Sequence, residues 1–173
     1  MSRSASAKAA LLGAALLTAC SAKPIGGELA APQPVFDAKT FFAGHTEGRA
    51  TLKIIFKAAQ PVHVDGKGWV EPDGTLILDQ VVKRGDHAPE RRRWRFREMG
   101  PNRYAGSLSD AAGPVVGDVR GNRLHLAYPM KGGYKAEQWI YLQPDGRTAL
   151  NRMAITKFGI EVGRLEETIR KLD

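Results

Sequence analysis

The sequence predicts an all-β domain, an antiparallel up-and-down β-barrel of about nine or ten strands, on three observations. From Thr46 onward apolar residues recur at every second position, the alternating segments are short and evenly spaced, and compact turn chemistries lie between them. A meander this long exposes an edge on either side, and closing on itself removes both.

The chain has 173 residues and a net charge of +8, enough for one domain with a real core. Its first element is a leader. Arg3 and Lys8 form a positive n-region, Ala9 to Leu17 an apolar h-region, and small residues precede Cys20, the only cysteine. The apolar run breaks at Ser21-Ala22-Lys23-Pro24, well short of the roughly 20 residues that cross a bilayer. Leu17-Thr18-Ala19-Cys20 resembles the lipobox of bacterial lipoproteins. That resemblance implies cleavage before Cys20, acylation of its thiol and anchoring in a membrane; Ser21, in place of Asp, implies onward transport to the outer membrane, facing the periplasm. An ordinary secretory signal and a buried transmembrane helix that happens to carry a thiol are the alternatives. A single thiol cannot form an internal disulfide in an oxidising compartment and calls for another use.

Cleavage removes Arg3 and Lys8, leaving 8 − 2 = +6 before any N-terminal modification. Outside the cytoplasm that balance suits phospholipid head groups or acidic envelope polymers rather than nucleic acid. The domains are then residues 1–19 as signal peptide, 20–34 as lipidated cysteine and tether, and 35–173 as barrel. Ser21 to Pro34 has three prolines, a Gly-Gly pair and no periodicity, and when extended reaches about 40 Å.

Phe36-Asp37-Ala38-Lys39-Thr40-Phe41-Phe42-Ala43-Gly44 has the grammar of a short helix, with Asp37 as N-cap, Phe36 and Phe41 as staple and Gly44 as stop. A lid or plug before the first strand follows. In that strand Gly48, Ala50, Leu52, Ile54 and Phe56 share one side, and Arg49, Thr51, Lys53 and Lys57 the other. Further strands are expected near residues 62–70, 75–83, 91–99, 104–109, 115–120, 123–130, 135–142 and 148–157. The turns between them include Pro72-Asp73-Gly74, Gly121-Asn122 and Pro144-Asp145-Gly146. The last segment carries two periods: Phe158, Ile160 and Val162 alternate, while Val162, Leu165, Ile169 and Leu172 recur at helical spacing. A tenth strand running into a C-terminal helix is expected. Such a helix would cover the second face of the strand holding Trp139, Ile140, Tyr141 and Leu142.

Glu71-Pro72-Asp73-Gly74-Thr75-Leu76, Arg93-Trp94-Arg95, Gly121-Asn122-Arg123-Leu124, Gln138-Trp139-Ile140-Tyr141-Leu142, Leu150-Asn151-Arg152-Met153 and Lys157-Phe158-Gly159 resemble the bacterial lipoprotein family known as domain of unknown function 3833. The likeness runs from about Phe36 to Leu172. It implies a lipid-anchored envelope protein with a lipocalin-like barrel, in a family often encoded near genes that modify membrane fatty acids. It brings no catalytic residues with it.

Glu90 to Glu98 is the most distinctive chemistry. In a strand Arg91, Arg93, Arg95 and Arg97 form a row about 7 Å apart, while Arg92, Trp94 and Phe96 face the other way. The row suits phosphate or carboxylate, as in a lipid head group. It also suits a solvated face paired with acids of neighbouring strands, such as Asp79 or Glu98.

Catalytic constellations are thin. His45 with Glu47 and His63 with Asp65 are i, i+2 pairs that orient an imidazole or simply hydrogen-bond at a surface, and His125 is expected to be exposed. No histidine or cysteine spacing suits zinc, Ser107 and Ser109 lack an elbow motif, and no glycine-rich phosphate loop precedes a helix. No catalytic residue, metal or cofactor is assigned. The leading reading is a non-catalytic barrel holding a hydrophobic, acyl or lipid ligand between its inner face and the Phe41-Phe42 helix. Candidate interior positions are Leu52, Ile54, Phe56, Trp94, Phe96 and Leu126. A docking module that uses the arginine face and a lipid-modifying enzyme remain alternatives, and the oligomeric state is open.

Overall fold

A computed structural model describes residues 24–173; the leader and Cys20 lie outside them. The described residues form ten antiparallel strands: β1 (Gly44–Ile54), β2 (Gln60–Val70), β3 (Leu76–Arg84), β4 (Glu90–Glu98), β5 (Arg103–Leu108), β6 (Val115–Arg120), β7 (Arg123–Met130), β8 (Tyr134–Leu142), β9 (Thr148–Lys157) and β10 (Ile160–Lys171). Each pairs with the one before it, and β10 returns to β1 to close the barrel, from Thr46 opposite Lys171 to Ile54 opposite Gly163. The expected all-β, up-and-down architecture is present.

The expected C-terminal helix is not. Residues 160–171 are strand throughout, with one register shift between Glu161 and Gly163. The helical spacing of Val162, Leu165, Ile169 and Leu172 loses to closure. Without β10 both β1 and β9 would be open edges, and pairing on both sides satisfies their backbone groups together.

One end of the barrel carries the β2–β3, β4–β5, β6–β7 and β8–β9 hairpins and is closed by α1 (Ala38–Phe42). Asp37 caps this helix as expected, accepting from the Lys39 and Thr40 amides at 2.9 and 3.2 Å. The Phe36 and Phe41 rings lie 5.4 Å apart and both are buried. The helix ends against β2 at Gly68, where any Cβ would collide with the Phe42 carbonyl. Lys171 of β10 donates to the Ala43 carbonyl and ties the plug to the closing strand.

The segment expected as tether is docked from Ile25 onward. Ile25 and Leu29 pack on the outer wall over Trp139, Tyr141 and Ala154. The Tyr141 hydroxyl donates to the Ile25 carbonyl at 2.9 Å, and Asn122 both accepts from the Ala31 amide at 2.7 Å and donates to the Leu29 carbonyl at 3.0 Å. This strap supplies the outer cover that the sequence assigned to a C-terminal helix. The core is internal and the sheet has no open edge, so residues 24–173 make a self-sufficient folding unit.

Candidate functional site

The lumen is filled from the plugged end. Phe36, Phe41 and Phe42 pack beneath Leu76, Phe96 and Leu124, and Trp94 and Leu126 add the next layer. Trp94 stacks on Phe96 at 5.3 Å and meets Tyr128 edge-on at 5.4 Å. Phe41, Phe42, Trp94, Phe96 and Leu126 are therefore interior, as expected, but they are packed core and do not line a ligand space. The expected cavity beside the Phe41-Phe42 helix is corrected on this point: aromatic rings occupy that volume, and the hollow lies at the other end.

Above the aromatic layer sits a polar shelf. Tyr128 on β7, Gln138 on β8, Asn151 on β9 and Glu167 on β10 form one chain across four neighbouring strands. Gln138 donates to the Tyr128 hydroxyl at 2.8 Å, and Asn151 Nδ2 donates to Gln138 Oε1 at 3.1 Å and to Glu167 Oε2 at 2.8 Å. On β3 and β4, Gln80 Oε1 accepts from Arg92 Nε and Trp94 Nε1, both at 2.8 Å. Gly48 of β1 makes room for the acid, since a Cβ there would strike Glu167 Oε1. Burial raises the Glu167 pKa, partly opposed by the Asn151 hydrogen bond and the Arg92 charge, so the carboxyl favours its protonated form. Burial likewise raises the Tyr128 pKa and keeps the phenol a donor. Asn151 Oδ1 is buried with no hydrogen-bond partner, an unmet acceptor on the shelf.

The barrel is hollow over the shelf. A cavity of about 160 Å³ is walled by Val62, Val64, Val82, Met153 and Leu165, with Arg92, Asn151 and Glu167 among its polar lining. An engineered apolar cavity of about 150 Å³ takes benzene, so this space admits a ring or the end of a chain. It continues into a vestibule of about 630 Å³, sharing Leu52, Arg84, Glu90, Met130 and Ile155 with it, and opens at the rim formed by the other five hairpins. Together the two chambers fall within the roughly 300–1,000 Å³ of small-molecule sites.

Of the remaining interior candidates, Leu52 lines both chambers and Ile54 lines the vestibule. Phe56 does not face the lumen. It lies two residues beyond the end of β1, adopts φ 61° in the hairpin tip and is 98% exposed. The alternation that placed it inside ends when the strand turns.

The arginine row faces outward. Arg93 Nε and Nη2 grip Asp79 at 2.5 and 2.6 Å, Arg95 reaches Glu71 at 3.1 Å, and Arg97 pairs with Asp73. Hydrogen bonds from Arg93, with the charges of Arg93 and Arg91, hold the Asp79 carboxyl below its ordinary value. Three guanidiniums of the row thus already have a carboxylate. The histidine pairs exchange partners across β1 and β2: His45 Nε2 is 2.8 Å from Asp65, and His63 Nε2 is 3.2 Å from Glu47, all on the outer face. His125 is not exposed as expected. It stacks on Trp139 at 5.4 Å with Nδ1 3.0 Å from Asp118, in the outer wall.

Sequence reasoning missed the shelf. Its signal was available as polar residues standing in the inward phase of otherwise apolar strands: Arg92 with Trp94 and Phe96, Gln138 between Ala136 and Ile140, Asn151 between Ala149 and Met153. Glu167, between Leu165 and Ile169, was hidden by the helical reading of the tail.

Comparison with solved structures supports the same barrel. The S-type phycobiliprotein lyase CPES from Guillardia theta is similar to this chain with a TM-score of 0.62 and 11% identity, over 80% of this chain and 94% of that one. A protein of unknown function from the DUF3598 family of Nostoc punctiforme is similar with a TM-score of 0.59 and 11% identity, over 81% of this chain and 50% of that one. These likenesses show a lipocalin-like fold. No curated protein matches the chain by sequence. Over residues 14–171 the sequence matches the family described as protein of unknown function (DUF3833), and the chain belongs to that family.

Proposed function

We propose that this chain is a lipid-anchored envelope lipoprotein whose barrel holds one acyl ligand, acid end inward, at the membrane. The observation that carries the reading is a lumen solid at one end, open at the other and floored by a polar shelf. An apolar chamber alone would fit any greasy molecule. The shelf adds direction through Arg92, which spends its Nε on Gln80, and through the Tyr128 hydroxyl, while burial shifts the Glu167 carboxyl toward its neutral form. A carboxylate lowered onto that floor meets a guanidinium and a phenol in a low-dielectric space, where charge-assisted hydrogen bonds are strong. The apolar walls take the chain, and Arg84, Met130 and Lys157 surround its exit. Anchoring through Cys20 to the outer membrane, facing the periplasm, rests on the lipobox resemblance and places the barrel beside a supply of acyl chains.

The first test is native mass spectrometry of the protein purified from its own envelope. A co-purifying acyl species is expected, and repeated recovery of an empty barrel would count against the reading. Fatty-acid titrations of Arg92→Met sharpen it: the variant should lose the wild type's preference for a fatty acid over the matching fatty alcohol while still binding the chain. Palmitate labelling that marks the wild type and spares Cys20→Ala tests the anchor separately.

A further inference from the structure

Two phenylalanines stand where neither packing nor backbone preference explains them. Phe56 and Phe158 are 98% and 90% exposed, and both hold positive φ, 61° and 52°. For a bulky side chain that backbone region is a genuine outlier, and an exposed aromatic gains nothing from water in return. Glycine or asparagine would serve either turn better. Strain of this kind that persists is a pointer to function.

Their positions converge. Phe56 tips the β1–β2 hairpin and Phe158 the β9–β10 hairpin, and β1 pairs with β10, so the two tips are neighbours on the rim of the hollow end. Ile55 and Ile160 beside them are 49% and 65% exposed. Lysines flank the apolar tips: Lys57 follows Phe56, Lys157 precedes Phe158 with its Nζ 5.7 Å from that ring, and Lys131 lies in the next turn around, between β7 and β8. The acids of the rim turns, Asp86 and Asp110, fall on the β3–β4 and β5–β6 connections across the mouth. The half carrying the β1–β2 and β9–β10 tips is apolar and lysine-bearing, with Glu161 beside Ile160 paired to Arg164, whereas the other half is polar and of mixed charge, with Lys83, Arg84 and Arg91 among Asp86, Glu90 and Asp110.

We infer that this half-rim is a membrane-docking surface, in which Phe56 and Phe158 insert among acyl chains and the lysines bind the head groups of an anionic bilayer. Aromatic tips with basic flanks match the layered chemistry of such an interface, apolar below and anionic at the surface. A protein partner offering an apolar pocket would have no need of the basic collar. Docked this way, the vestibule opens onto the bilayer, and a chain leaving the membrane enters the lumen without crossing water. The inference deepens the acyl-binding reading, on which it rests for its purpose and not for its evidence.

The test uses residues 24–173, which fold without the anchor, sedimented with vesicles of phosphatidylcholine alone or with one third phosphatidylglycerol. The wild type should bind the anionic vesicles about tenfold more tightly than the neutral ones. Phe56→Gly with Phe158→Gly should lower binding at least tenfold while the melting temperature holds or rises, because glycine relieves both turns. Lys57→Glu with Lys157→Glu should remove the anionic preference. Equal binding by the wild type and the glycine variant overturns the proposal. So does a wild type that ignores vesicles, or one that forms a dimer or captures a protein through the same residues instead. A soluble fluorescent fatty acid, titrated in parallel, separates the two readings: unchanged affinity in the glycine variant leaves the lumen site standing whatever the vesicles show.

Discussion

The two halves of the barrel are built from the same ten strands and differ in what fills them. Toward α1, aromatic rings from the plug and from β4 interlock until no ligand-sized space remains. Toward the rim, valines, Leu52, Met153 and Leu165 leave a chamber unfilled, and Glu167 is buried under it. Both features of the second half oppose stability, since unfilled apolar walls forfeit contacts and a buried acid forfeits hydration. The solid half provides the margin that lets the hollow half persist. A fold selected for stability alone would fill the chamber with two or three larger side chains.

That contrast can be broken at several points. The largest effect is expected at the plug: Phe41→Ala should destabilise the fold by about 3–5 kcal/mol in urea denaturation. A loss under 1 kcal/mol would mean that the plugged end is not the stabilising half. The shelf comes next, through pH. The folded chain keeps the Glu167 proton that the unfolded chain releases near the ordinary value of 4.5, because burial raises its pKa. The stability this proton contributes is complete below that value and falls as pH rises toward the folded pKa. Glu167→Gln should therefore melt at a higher temperature than the wild type at pH 8, with the gap narrowing by pH 4. Parallel pH profiles would remove Glu167 from the account. The smallest effect belongs to the outer row. Arg95→Ala should change stability by less than about 1 kcal/mol, because its exposed pair with Glu71 is screened by water; a larger loss in thermal melts would show that the row is structural.

Much of this molecule was legible in sequence because period-two alternation and turn residues report directly on strands. Strands such as Val115–Arg120, Arg123–Met130 and Thr148–Lys157 match their expected bounds, and the Asp37 cap with its Phe36–Phe41 staple is where its grammar put it. What failed to show was set by distant pairing. The tail from Ile160 to Lys171 carries both periods, and only the need of β1 for a second partner decides between them. The shelf joins β3, β4, β7, β8, β9 and β10, so no local window contains it. The alternation of β1 carried Phe56 inward on paper because a period gives no notice of where a strand turns. The arginine row was visible, but its partners Asp79, Glu71 and Asp73 became assignable only with the β3–β4 register.

The proposed function requires that the rim half be hollow for an acyl chain. The most direct measurement is calorimetric titration of residues 24–173 with a long-chain fatty acid, comparing the wild type with Val82→Phe, which places a ring in the chamber. One-to-one binding with a negative heat-capacity change is expected for the wild type, and at least about tenfold weaker binding for a variant that remains folded. A wild type that binds nothing, or a folded Val82→Phe that binds equally well, would contradict the proposed function.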